Sequence, residues 1–309
     1  MLRRYAVGVL LANLAVIAWG AFVRATGSGA GCGAHWPLCN GEVVPRDPSV
    51  ETLIELTHRA TSGVALLLVI GLVALAFTAR PKRHPMRAAS VLSLVFILLE
   101  AAVGAGLVLF EYVAHDESVA RVYWMGAHLV NTFLLIGALT LAVVYAPEKV
   151  ARPRWDPVGW PIVIGALALL VVGVSGAVTA LGDTLFPSGS LGEGIARDFE
   201  ATAHFLVRLR VWHPITAAIS AVVILVAATV TAMRRPDARG AAQVVVVLVC
   251  AQIAGGFVNL ALLAPVWMQL VHLLLADLTW AAVVVLGART FADSSESAAI
   301  EPVPVGHSQ

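Results

Sequence analysis

Apolar residues run along this chain in eight blocks, separated by short polar connections. The blocks cover roughly 5–24, 54–79, 88–110, 121–145, 158–181, 203–233, 240–263 and 267–289. About 20 apolar residues in a helix cross a bilayer core. Composition supports this pattern, with 59% hydrophobic and only 13% charged residues, which excludes an ordinary soluble domain. The expectation is therefore an all-α integral membrane protein with eight transmembrane helices. A net charge of +1 without a basic motif gives no footing for nucleic-acid binding.

Charge then orients the spans. One set of alternate connections holds thirteen cations: Arg3, Arg4, Arg80, Lys82, Arg83, Arg87, Lys149, Arg152, Arg154, Arg234, Arg235, Arg239 and Arg289. The other holds seven: Arg24, Arg46, Arg59, Arg121, Arg197, Arg208 and Arg210. The positive-inside rule puts the richer side, with both termini, in the cytoplasm. The first block is read as a retained helix rather than a cleaved signal peptide, because the alternation needs it. Residues 291–309 form a polar tail with two prolines, expected to be disordered and cytoplasmic.

The spans repeat in groups of four. Gly20-Ala21 in the first is matched by Gly176-Ala177 in the fifth, and His58 in the second by His213 in the sixth. Gly104 and Gly106 in the third match Gly255 and Gly256 in the seventh, and His128-Leu129 in the fourth matches His272-Leu273 in the eighth. Four spans is an even number, so both units keep one orientation. The expected architecture is two tandem four-helix bundles, 1–150 and 151–290, related by a pseudo-twofold along the membrane normal. The glycines are read as close-packing positions.

Two features carry chemistry. The first outer connection, 25–53, holds Gly27-Ser28-Gly29 followed by Cys32, His35, Trp36-Pro37-Leu38 and Cys39. Cys32 and Cys39 share an extracytoplasmic loop, where disulfides persist. A bridge is expected, with two free thiols as the alternative. His35 alone is a poor zinc centre, and Cys250 is a small packing residue. Of nine histidines, five lie in loops, in the tail or at a helix mouth, and are expected to be solvated. The other four, His58, His128, His213 and His272, fall one per even-numbered span, near its outer end. Imidazoles from facing helices in an apolar bundle suit axial ligation of haem iron. Glu55 precedes His58 by three residues and shares its helix face; a solvated helix-start acid is the alternative.

The Gly27–Cys39 loop, the Glu55, His58, Arg59 stretch and the His272–Asp277 stretch together resemble the heme A synthase family, over nearly the whole chain. Pro214 stands after His213 where that family leads one to expect arginine. The resemblance implies oxidation of the C8 methyl of heme O to a formyl group, giving heme A for terminal oxidases. It implies heme b as cofactor, held by His213 and His272. His58 and His128 would face substrate heme O, and Glu55 would be the catalytic acid or base. Arg210 takes the position in the second repeat that Glu55 holds in the first, and suits a haem propionate. Implied partners are a heme O synthase (protoheme farnesyltransferase), an electron donor or acceptor not specified by the sequence, and the lipid of a bacterial cytoplasmic membrane. The rival expectation is a diheme b-type electron-transfer protein, which leaves Glu55 and the cysteines without a role.

Overall fold

A computed structural model describes residues 1–151, 153–154 and 156–292. The tail expected from 291 onward lies outside the described residues from 293; Phe291 and Ala292 lie against Pro153, Arg154 and Gly159, with Arg154 N–H donating to the Phe291 carbonyl at 2.7 Å. The elements are α1 (Leu2–Ala25), α2 (Val50–Ala79), α3 (Pro85–Leu109), α4 (Val119–Val144), α5 (Trp160–Leu185), α6 (Leu191–Asp198), α7 (Phe205–Arg208), α8 (Trp212–Arg234), α9 (Arg239–Ala261) and α10 (Val266–Thr290). Among the described residues there is no strand. Eight helical spans are long and apolar enough to cross a membrane, with α7 and α8 forming one of them. At 1.5 Å per residue, the 25 residues of α3 reach about 37 Å, more than the roughly 30 Å of a hydrocarbon core. The chain is a multi-pass membrane protein.

Helix starts follow local chemistry. The hydroxyls of Ser49, Ser118 and Ser190 accept the backbone N–H of Thr52, Arg121 and Glu193 at the heads of α2, α4 and α6, each satisfying one of the orphan donors of a first turn. The sixth predicted span departs from its expected continuity. It opens as α7, breaks at residues 209–211, and restarts as α8 at Trp212. Pro214 is the physical reason. In a continuous helix its ring would clash with the Arg210 carbonyl and its missing N–H would leave that carbonyl unbonded. Restarting at Trp212 puts Pro214 in a first turn, where proline is tolerated. The short α6 was not expected. It lies in the connection after α5, with Leu191, Ile195 and the adjacent Phe199 exposed.

Packing runs α1 to α2, α2 to α3, α3 to α4 and back to α1; the same circuit runs α5, α8, α9, α10 and back to α5. Each group has its own apolar core, around Val69, Leu72 and Leu139 in one and Ala228, Val245 and Leu286 in the other. Helices α1 and α4 meet α5 and α10 between the groups. There Phe133 and Trp280 stack with ring centres 5.3 Å apart, and Trp280 Nε1 donates to the Phe133 carbonyl at 2.5 Å. Leu67, Ile70, Val171, Val222 and Phe257 point outward, as lipid-facing positions should when the backbone is satisfied inside the helices.

Candidate functional site

The four histidines each meet a glycine on the preceding long helix. A Cβ on Gly20 of α1 would stand 2.8 Å from His58 Cε1, and one on Gly176 of α5 would stand 2.9 Å from His213 Cε1. On α9, a Cβ at Gly256 would stand 3.2 Å from His272 Cε1; on α3, one at Gly104 would stand 3.9 Å from His128 Cε1. Reading these glycines as packing positions alone therefore needs correction. At Gly20 and Gly176 in particular, a methyl would push an imidazole aside, so the glycines seat the rings.

His213 on α8 and His272 on α10 face one another with ring centres 6.3 Å apart and planes at 89°. His213 and His272 are the residues that would hold a haem iron between α8 and α10. Ser175 Oγ lies 3.2 Å from His213 Nδ1 and 2.8 Å from Thr216 Oγ1, so a hydroxyl can fix the tautomer of that ring. Gln252 Nε2 lies 3.3 Å from His272 Nε2. Nδ1 of His58, His128 and His272 is buried without a hydrogen-bond partner. Buried polar atoms without partners call for an explanation, and a donor set of buried imidazoles, two of them facing, is of the kind that could hold a haem iron.

Glu55 is 3% exposed, which overturns the solvated helix-start reading. Its Oε2 accepts the Cys32 backbone N–H at 2.8 Å, and its Oε1 accepts Arg59 Nη2 at 2.5 Å and Nε at 3.1 Å. Arg59 Nη1 reaches on to the carbonyls of His35 and Leu38, at 2.7 and 2.6 Å. Cys32 and Cys39 form a disulfide, and both are buried. Thr52 Oγ1 donates to the Gly31 carbonyl at 2.6 Å. Gly31 sits so close to α2 that a Cβ would fall 2.4 Å from the Glu51 carbonyl carbon, so only glycine fits there. The loop is thus clamped onto α2 within one helical turn of His58.

The second group reverses the charge. Arg210, also buried, pairs with Asp183 at 3.2 Å and Asp198 at 3.8 Å, and donates to the carbonyls of Gly182 and Phe186 at 2.7 and 2.6 Å. Its expected role as a propionate partner is therefore corrected, since these protein groups already engage it. Its two acids and two carbonyls tie the connection after α5 to the break between α7 and α8. The corresponding position after His213 is Pro214, and Arg59 in the first group is itself taken up by Glu55 and the loop.

Several residues were missed by sequence reasoning. Glu100 of α3 accepts Asn131 Nδ2 at 2.5 Å and the Thr132 hydroxyl, and its Oε1 lies 3.5 Å from His128 Nδ1. The signal was present as a single acid inside an apolar block, which is costly there. Asp277 of α10 is fully buried, and neither carboxylate oxygen has a hydrogen-bond partner. His84, expected to be solvated, instead caps α3. Its Nδ1 accepts the Met86 N–H at 3.3 Å, and its Nε2 lies 3.3 Å from the Glu148 carbonyl. Burial holds its imidazole below the ordinary histidine range, against the opposing pull of that carbonyl. His204 caps α7, stacks on Phe186 and lies 3.6 Å from Glu117.

The model of the cytochrome oxidase assembly protein family matches residues 3–284. Two proteins of Thermus thermophilus strains named protoheme IX farnesyltransferase are 50% identical over 283 residues, 90% of this chain and 46% of theirs. The chain thus spans about half the length of these relatives. Heme A synthases of an Exiguobacterium species and of Alkalihalophilus pseudofirmus are 41% and 40% identical, over 33% and 35% of this chain and 34% and 37% of their own. A match across nearly all the spans, with these relatives beside it, places the chain in the cytochrome oxidase assembly protein family, that of the heme A synthases.

Proposed function

We propose that this chain is a heme A synthase, oxidising the C8 methyl of heme O to a formyl group. The observation that carries the reading is the pair of facing imidazoles, His213 and His272, with ring centres 6.3 Å apart. The two four-helix groups would act as two haem-binding halves, related by an axis along the membrane normal. His213 and His272 would hold heme b. When bound, heme b would supply a one-electron redox centre that no amino-acid side chain offers. Heme O is the substrate, presented to His58 and His128. Both sites would lie toward the outer face of a bacterial cytoplasmic membrane, with the termini inside.

The chain's own residues bind, orient and shield. Gly20 lets the His58 ring lie directly against α1. The disulfide loop, held by Glu55 and Arg59, covers the head of α2 and limits water access. Oxidising a methyl carbon releases protons and builds positive character at that carbon. Glu55, a buried carboxylate on the His58 face of α2, is suited to accept a proton at Oε1 or Oε2 and to oppose that charge. Arg59 keeps a counter-charge on the acid between turnovers.

A heme O synthase would be the partner that delivers substrate. The test is co-expression with such a farnesyltransferase in a host lacking heme A, with chromatography of the extracted haems. Heme A is expected; accumulation of heme O alone would refute the reading.

A further inference from the structure

We infer that Glu100 is a positioning residue for the N-terminal haem site, holding His128 and marking that site as the electronically distinct one of the two. The inference rests on the two-haem reading above. Glu100 and Gln252 occupy matching places. Glu100 lies four residues before Gly104, which faces His128; Gln252 lies four residues before Gly256, which faces His272. Each side chain approaches the histidine of the next long helix, Glu100 Oε1 at 3.5 Å from His128 Nδ1 and Gln252 Nε2 at 3.3 Å from His272 Nε2. One half therefore carries an acid four residues before its glycine and the other a neutral amide, and the two approach different ring nitrogens, Nδ1 of His128 and Nε2 of His272.

The acid comes with its own holders. Asn131 Nδ2 donates to Glu100 Oε2 and to the Phe96 carbonyl, while the Thr132 hydroxyl donates to Oε1. Asn131 and Thr132 are both buried. At the matching offsets after His272 stand Leu275 and Ala276, which have nothing to donate. A carboxylate is costly among lipid-spanning helices, and two donors from α4 offset that cost in one half only. Glu100 Oε1 stands 3.5 Å from His128 Nδ1, which has no hydrogen-bond partner, so the carboxylate faces that nitrogen and leaves Nε2 as the one that would be open to a metal. A carboxylate behind a ligand histidine makes the imidazole a stronger donor and favours the oxidised metal; an amide does so far less. The site that receives heme O is thereby distinguished from the one that keeps heme b.

The experiment uses full-length protein co-expressed with a farnesyltransferase that supplies heme O. Spectroelectrochemical titration and low-temperature electron paramagnetic resonance are recorded for the wild type and Glu100→Gln. Glu100→Gln keeps size and hydrogen-bonding reach. It is expected to raise the midpoint potential and change the low-spin signal of the N-terminal haem, leaving heme b unmoved. If Glu100→Gln binds both haems with unchanged potentials and signals, the inference is overturned, even should heme A yield fall. If the wild type yields no heme A but the potentials shift as stated, the functional reading fails and this inference stands.

Discussion

Glu55 Oε2 accepts the backbone N–H of Cys32 at 2.8 Å, so one carboxylate ties the disulfide loop to α2 a single turn before His58. Glu55→Gln should therefore keep the fold and b-type absorbance but lose conversion of heme O. The substitution is nearly isosteric and keeps an acceptor for Cys32, but it removes the charge and the proton site. Chromatography of extracted haems beside the optical spectrum checks this. Glu55→Ala should go further and destabilise the protein by about 3–5 kcal/mol, because it leaves the largely buried Arg59 without its partner. Thermal denaturation in detergent reads that difference.

The glycine seats separate the two halves. Gly176→Ala would put a methyl 2.9 Å from His213 Cε1, and Gly20→Ala one 2.8 Å from His58 Cε1. The first should perturb or lose b-type absorbance; the second should keep it while heme A yield falls at least tenfold. Difference spectra and haem chromatography on both variants check the pair. Loss of b-type absorbance from Gly20→Ala would contradict the assignment.

The loop thiols should be unreactive until reduced. Alkylation without a reductant, followed by mass spectrometry, should leave Cys32 and Cys39 unlabelled. After reduction both should be labelled.

His84 gives a pH dependence with a definite sign. Burial lowers its folded-state pKa, while the unfolded chain protonates near 6.5. Below that value the unfolded state binds the extra proton first. Its contribution is then fully present above about pH 6.5 and is lost as pH falls toward the folded value. His84→Asn keeps a capping acceptor for Met86 but does not titrate. Between about pH 7 and 5.5 the wild type should lose more thermal stability than this variant. Equal slopes would show that the cap does not couple to protonation.

The spans were legible because lipid leaves the backbone few alternatives to a helix, so eight apolar blocks could only be eight helices. The four histidines stood out against that background for the same reason. The break at residues 209–211 was signalled by Pro214, but Trp212–Arg234 continues so apolar a run that the proline reads as a local defect. Glycines 20 and 176 were visible as repeat landmarks, yet their ring-seating role depends on which helices are neighbours. Glu100 stayed hidden because its partners, Asn131 and Thr132, lie on another helix. Glu55 was found from its spacing to His58. Its bonds to Cys32 and Arg59, and the Gly31 contact that lets the loop lie flat on α2, are tertiary facts that no local pattern encodes.

The central claim is that one protein holds a cofactor haem in its second half and oxidises heme O in its first. The most direct measurement co-expresses the wild type, His58→Ala and His213→Ala with a heme O-forming farnesyltransferase. Reduced-minus-oxidised spectra of each purified protein are then read beside chromatography of its extracted haems. The account predicts heme A from the wild type only, with low-spin b-type absorbance kept in His58→Ala and lost in His213→Ala. No heme A from the wild type, or b-type absorbance unchanged in His213→Ala, would contradict it.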